Sequence, residues 1–197
     1  MLHHRALGRD LDQLLVSVID NRRPMLAMMR AMLAAIGAGR IETYENPREA
    51  LIAMARNTPD VVIAAAAMEP VSGAELVHAM RREEAGALSF VPAMIMSAHA
   101  KAALVAEALR AGAHQVLVLP TSASTLYRRL DWLVNDDRPF ELKDGHFVVS
   151  GLEERLALSV PRPTYNPMPA KAPLALGETE TLSGAEAYAV KLRAARN

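Results

Sequence analysis

Cysteine is absent from the 197 residues, which excludes disulfides, thiol catalysis and cysteine-ligated zinc together and suits a reducing cytoplasm. Aromatic residues make up only 4%, so the interior must be built from alanine, leucine, valine and methionine, a balance suited to helices packed closely on a sheet. A net charge is missing as well. The 22 lysines and arginines are matched by 22 aspartates and glutamates, so no overall field draws the chain toward nucleic acid or an anionic membrane. Long apolar runs are also lacking: the longest, residues 61–68, has eight residues, where a bilayer span needs roughly 20. The N-terminal MLHHRALGRDLDQ has neither the continuous apolar stretch nor the small-residue cleavage site of a secretory signal. The expectation is a cytoplasmic protein with no membrane span and no nucleic-acid partner.

What is present is a globular composition, 51% hydrophobic and 22% charged, in a chain long enough for one large or two small domains. Residues 14–20, LLVSVID, form a short run rich in β-branched side chains that ends in an acid and reads as a buried strand. Pro24 then opens a helix whose Met25, Met28, Met29, Met32 and Ile36 recur at helical spacing and read as core, and Gly37 and Gly39 end it. Ile41 to Tyr44 is a second strand and Pro47 starts a second helix, residues 48–56. The turn residues Thr58, Pro59 and Asp60 feed VVIAAAAM, a strand running into a loop. The alternation continues with a helix over 72–82, a strand over 91–96, a helix over 101–111, a strand over 115–118 and a helix over 122–134. Every strand-to-strand link is long enough for a crossover, so the pattern predicts an α/β fold, a doubly wound five-stranded parallel sheet with helices on both faces. Ligands of such sheets bind at the carboxyl ends of the strands, here after Ile19, Ala64, Met96 and Val118.

The pattern stops after Val134. Residues 135–150 are charged apart from Phe147, Val148 and Val149, and residues 161–173 hold five of the 12 prolines, an extended linker. A last helix over about 183–196 starts at Ser183 with capping-box spacing to Glu186 and carries a thin apolar stripe of Ala185, Tyr188, Ala189 and Leu192. This divides the chain into an N-terminal extension (1–11), a core domain (12–134) and a C-terminal tail (135–197).

Four segments in this order, IDNRRPM, PDVVIAAAAMEPVSGAEL, VPAMIMSAHA and AGAHQVLVLPTS, closely resemble the CheY-like receiver domain of two-component response regulators. The resemblance covers residues 12–134. It implies the flavodoxin-like (βα)5 fold and a phosphorelay signalling role. A working receiver transfers a phosphoryl group from phosphohistidine to an aspartate ending the third strand. Two acids after the first strand hold magnesium, a hard cation that demands oxygen ligands, and a hydroxyl and a lysine at the fourth and fifth strands bind the phosphoryl oxygens.

Carried over position by position, the acid pair is Asp20 and Asn21, so one charge of two is kept. Counting eight residues back from Gly73 puts the phosphoacceptor at Ala65, and a shift of one gives Ala64 or Ala66, so no register restores a carboxylate. The hydroxyl is Ser97, while Leu119 stands where the lysine precedes Pro120. Glu69, beside Pro70, reads as a loop acid. Alanine carries no nucleophile, so the expectation is a pseudo-receiver that is not an enzyme and holds no cofactor and no metal, acting by phosphorylation-independent contact with a signalling partner or a second copy. The resemblance places that interaction face on the fourth helix, fifth strand and fifth helix, with Ala100, Lys101, Leu104, Val116, Val118 and Tyr127, and the tail is a further route to a partner. The alternatives are a sensor of a nucleotide or other anion, with Arg22 and Arg23 as contacts, and a structural subunit of a larger assembly. Removal of clustered carboxylates, which repel one another, is expected to favour the folded state.

Overall fold

Val61 to Ala65 are buried at every residue, which a strand achieves only at the centre of a parallel sheet covered on both faces. The computed structural model, described here for residues 2–99, 101–151, 154, 156 and 157, has this strand in that place. The core elements are β1 (Leu15–Ile19), α1 (Arg23–Ala35), β2 (Arg40–Tyr44), α2 (Pro47–Arg56), β3 (Val61–Ala65), α3 (Gly73–Met80), β4 (Ala93–Ser97), α4 (Ala102–Arg110), β5 (Gln115–Val118) and α5 (Ala123–Val134). The five strands lie in the order β2-β1-β3-β4-β5 and all pairs are parallel. The order reverses between β1 and β3, where Ile19 stands opposite Ala64, and a crevice opens at their carboxyl ends. α1 packs with α5, and α3 with α2 and α4, the doubly wound arrangement expected from the alternation.

Local chemistry sets the helix starts. Asn46 caps α2 by accepting from the Arg48 N–H at 2.9 Å, with Pro47 in the first turn. Ser72 and Glu75 close a reciprocal capping box on α3, and Ser122 accepts from the Thr125 N–H at 3.1 Å. Of the methionine series, Met29 is fully buried and Met25 and Met32 pack against the core, while Met28 turns outward.

The division at both ends of the domain differs from expectation. Residues 140–149, assigned to the tail, form an antiparallel hairpin of β6 (Phe140–Lys143) and β7 (His146–Val149). Asp144 and Gly145, both at positive φ, make the tight turn, an Asp-Gly pair whose backbone twist matches the strands. The N-terminal extension is also fastened: the Phe140 N–H donates to the Leu2 carbonyl at 2.7 Å and the Arg5 N–H to Phe90 at 3.1 Å. The hairpin's other edge takes the Arg81 carbonyl at 2.7 Å from the Phe147 N–H. The chain has three phenylalanines, and all three meet here, Phe90 lying 5.7 Å from Phe140 and 4.7 Å from Phe147 between ring centroids. The hairpin therefore closes a small second core, and Met1–Pro161 is one compact unit. The proline-rich linker (161–173) and the helix over about 183–196 lie outside the described residues.

Two buried polar groups hold this end together. Arg81 is 1% exposed and donates to the carbonyls of Gly112 (3.1 Å), Ser89 (2.9 Å) and Val91 (2.8 Å), with its guanidinium 5.0 Å from the Phe140 ring centroid. Burial pushes it down to about 9, so it stays a cation at neutral pH, and charge-assisted bonds to carbonyls offset part of its desolvation. Gly112 is required there, because its φ is +92° and a Cβ would lie 2.7 Å from the Arg81 Cγ. Asp60, read from sequence as a turn residue, is buried and accepts from Arg5 at 3.1 Å, Arg9 at 2.6 Å and the Leu15 N–H at 2.9 Å, tying the N-terminal segment to the start of β1.

Histidines line the same region. His4 is buried and its ring meets His114 edge-on at 5.8 Å, and His78 stacks on His146 at 4.1 Å. Burial holds His4 below the usual imidazole range, and burial with the neighbouring His146 and Arg82 does the same to His78. Both are neutral in the fold when the unfolded chain, with an imidazole pKa of about 6.5, takes up protons, so stability falls as pH drops through that value. Thermal unfolding at mildly acidic pH is expected at a lower temperature than at pH above neutrality, with a smaller difference in His78→Gln; a melting temperature independent of pH over this window contradicts the assignment.

Candidate functional site

The crevice between β1 and β3 is built on Asp20, the first residue after β1, which is fully buried. Its own N–H donates to the Tyr44 carbonyl at 3.1 Å, fixing the chain after β1 to the end of β2. Its carboxylate is held by one residue. Arg22 donates from Nε to Oδ1 at 2.9 Å, from Nη2 to Oδ2 at 2.8 Å, and from its backbone N–H to Oδ1 at 2.9 Å. The hydrogen bonds to Asp20 raise the guanidinium above its ordinary value. Arg22 is the N-cap residue of α1, with Pro24 in the first turn, so the start of the helix positions the fork.

The outer side of Arg22 forms one wall of an open cleft of about 470 Å³, shared with Asn21, Ala66, Met96, Ser97 and His99. Ser97 ends β4, and its hydroxyl accepts from the His99 N–H at 3.1 Å and donates to the His99 carbonyl at 3.2 Å, shaping the loop before α4. Ala65 is not part of the wall. It is 1% exposed at the end of β3, its carbonyl packed so closely on α3 that a Cβ at Gly73 would stand 2.3 Å from the oxygen. The half-buried Ala66 follows, its N–H donating to the Met96 carbonyl at 2.8 Å, and it lines both this cleft and a smaller pocket with Ala74, Ile95, Leu104 and Ala108. The position counted back from Gly73, Ala65, is therefore buried, and the cleft wall is lined by Ala66, the residue reached by a shift of one.

The other expected residues divide. The Leu119 N–H donates to the Ser97 carbonyl at 2.9 Å, and its side chain is buried in the main core, so β5 brings no cation to the cleft. Pro120 follows it, exposed, through a cis peptide bond. Arg23 does not join Arg22 as an anion contact; it pairs with Glu45 at 2.8 Å on the surface, because successive residues at a helix start point in different directions. On the expected interaction face, Val118 and Tyr127 are exposed at 48% and 47%, Lys101 is exposed, and Leu104 is half-buried. Val116 packs against the core instead, and Ala100 lies outside the described residues. Sequence reading missed Trp132 on α5, exposed at 47% with the Arg138 guanidinium 5.2 Å from its ring centroid; its four-residue spacing from Arg128 was the available signal.

Residues 16–131 match the response regulator receiver domain. The chain belongs to this family. It is 25% identical over 116 residues to the chemotaxis protein CheY-3 of Vibrio cholerae, across 59% of this chain and 88% of that one. Among solved structures it is similar to the chemotaxis response regulator CheY4 of Vibrio cholerae, with 26% identity, a TM-score of 0.56, and 61% and 98% of the two chains covered. The receiver domain of a sensor histidine kinase from Pseudomonas aeruginosa, which has a magnesium ion coordinated in its active site cleft, shares the fold at 17% identity and a TM-score of 0.57, covering 62% and 98%. Among the described residues of this receiver, no helix is long and apolar enough to cross a membrane.

Magnesium does not fit the cleft residues found here. The ion requires near-octahedral oxygen coordination with carboxylate support, whereas the one carboxylate at this crevice, Asp20, has both oxygens engaged by Arg22, and Asn21 adds only an amide. The alanine register has a direct test. Ala66→Asp, at a half-buried position on the cleft wall, is expected to change stability by less than about 1 kcal/mol, whereas Ala65→Asp, at a buried position, costs several kcal/mol. Urea unfolding of the two variants checks this, and the opposite order would return the cleft position to Ala65.

Proposed function

We propose that this receiver domain signals by phosphorylation-independent contact with a protein partner and catalyses no phosphoryl transfer to itself. The observation that carries the reading is the run Ala64 to Ala67 at the end of β3: whichever residue faces the cleft, no carboxylate is there to form an acyl phosphate. Leu119 in the core supports it from a second side, since nothing on β5 neutralises a phosphoryl group. Arg22 is committed to the buried Asp20 and Arg23 pairs with the exposed Glu45 on the surface, so a nucleotide or anion sensor gains no support from this pair.

The partner surface assigned by this reading is the α4-β5-α5 face. β5 is an edge strand, and Val118, Tyr127 and Trp132 are the large apolar side chains most exposed on β5 and α5. Exposed aromatic side chains are favoured anchors in protein contacts. A second copy of the chain and a different signalling protein are both partners of this class. Incubation with acetyl phosphate and magnesium, followed by intact-mass measurement, is expected to leave the mass unchanged. An adduct of one phosphoryl group mapped to residues 60–70 would overturn the reading.

A further inference from the structure

We infer that the Arg22 guanidinium is a built-in cation that takes the place of a divalent metal in this cleft, so that the loop between β1 and α1 keeps one arrangement whatever the magnesium concentration. The inference deepens the proposed function, and rests on it, by stating what controls the same cleft. Its basis is the fit of charge and geometry around Asp20. A fully buried carboxylate needs a counter-charge, and here the bidentate fork from Nε and Nη2 provides it, with the Arg22 backbone N–H as a third donor. Asp20 and Arg22 cancel, leaving the crevice without the negative field that a hydrated divalent ion would need to shed its water.

Covalent attachment makes the substitution effective. Arg22 lies two residues from Asp20, and a cation so tethered competes as an intramolecular group, with an effective concentration on the order of millimolar or higher. A planar guanidinium matches a carboxylate in two bonds, which a lysine ammonium does not. The Arg22 carbonyl also accepts from Met25 at 3.0 Å and Leu26 at 3.2 Å, so the residue that neutralises Asp20 also begins α1. The arginine side chain is 55% exposed while the Asp20 side chain is 0% exposed, the relation of a cap to the group it covers.

The test compares the full chain with Arg22→Gln, Asp20→Asn and the double variant, by thermal unfolding and titration calorimetry, in millimolar magnesium chloride or EDTA. The wild-type chain is expected to melt at one temperature in both and to give no binding heat. R22Q is expected to melt roughly 5 °C or more lower in EDTA and to recover part of that loss with magnesium. The double variant, with no charge left to neutralise, provides the folded control and is expected to lose the magnesium response. A magnesium response in the wild-type chain overturns the inference, as does an R22Q chain with no response. Either result leaves the proposed function standing unless an acyl phosphate also forms at residues 60–70, which would overturn that reading separately.

Discussion

Asp20 is a carboxylate with no access to water at the end of a central strand, and the arrangement around it depends on how that charge is neutralised. The sheet permits little choice. β1 and β3 are buried almost throughout, so a charge at their carboxyl ends must find its partner within the crevice. The partner is Arg22, bonded through Nε and Nη2, and that pairing sets the N-terminus of α1 and one wall of the cleft. Across the crevice a run of alanines replaces any second acid. A site that would otherwise crowd like charges together becomes electrically neutral, and neutrality is what the proposed phosphorylation-independent role requires.

The opposite end of the sheet follows a different rule. Arg81 is also buried, yet its three side-chain acceptors are backbone carbonyls rather than a carboxylate. It draws together the end of α3, the segment before β4, the turn before β5 and, through Phe140, the β6-β7 hairpin. The chain's few aromatic residues are concentrated accordingly. The main core is aliphatic and rich in methionine and alanine, while all three phenylalanines fill the space between the hairpin and the segment before β4. The scarcity of aromatics is therefore local as well as overall, and it separates an alanine-packed signalling fold from a small accessory core.

Most of the α/β alternation was legible because strands buried on both faces and helices with one apolar face leave different periodicities. β3 was readable from its β-branched first half despite the alanines after it. The hairpin is not legible as strands, because four-residue strands carry little periodic signal and only Phe147, Val148 and Val149 stand out in a charged segment; the Asp144-Gly145 pair is the clue. Within the site, the residue types were legible but their orientation was not. Whether Ala65 or Ala66 faces the cleft depends on where the pleat of β3 ends, and the division of Arg22 and Arg23 between Asp20 and Glu45 depends on the entry angle of α1. Asp60 shows the same limit, since a turn-forming residue and a buried ion-pair acceptor have the same sequence signature.

Phosphorylation-independent signalling requires that the cleft hold no carboxylate able to accept a phosphoryl group. Amide NMR spectra recorded while beryllium fluoride and magnesium are added test it most directly, because the fluoride complex mimics an acyl phosphate only where a free carboxylate can bind it. The resonances of Asp20, Ala66, Ser97 and Leu119 are expected to stay unmoved. A second set of peaks for these residues, appearing in slow exchange as the complex forms, would contradict it.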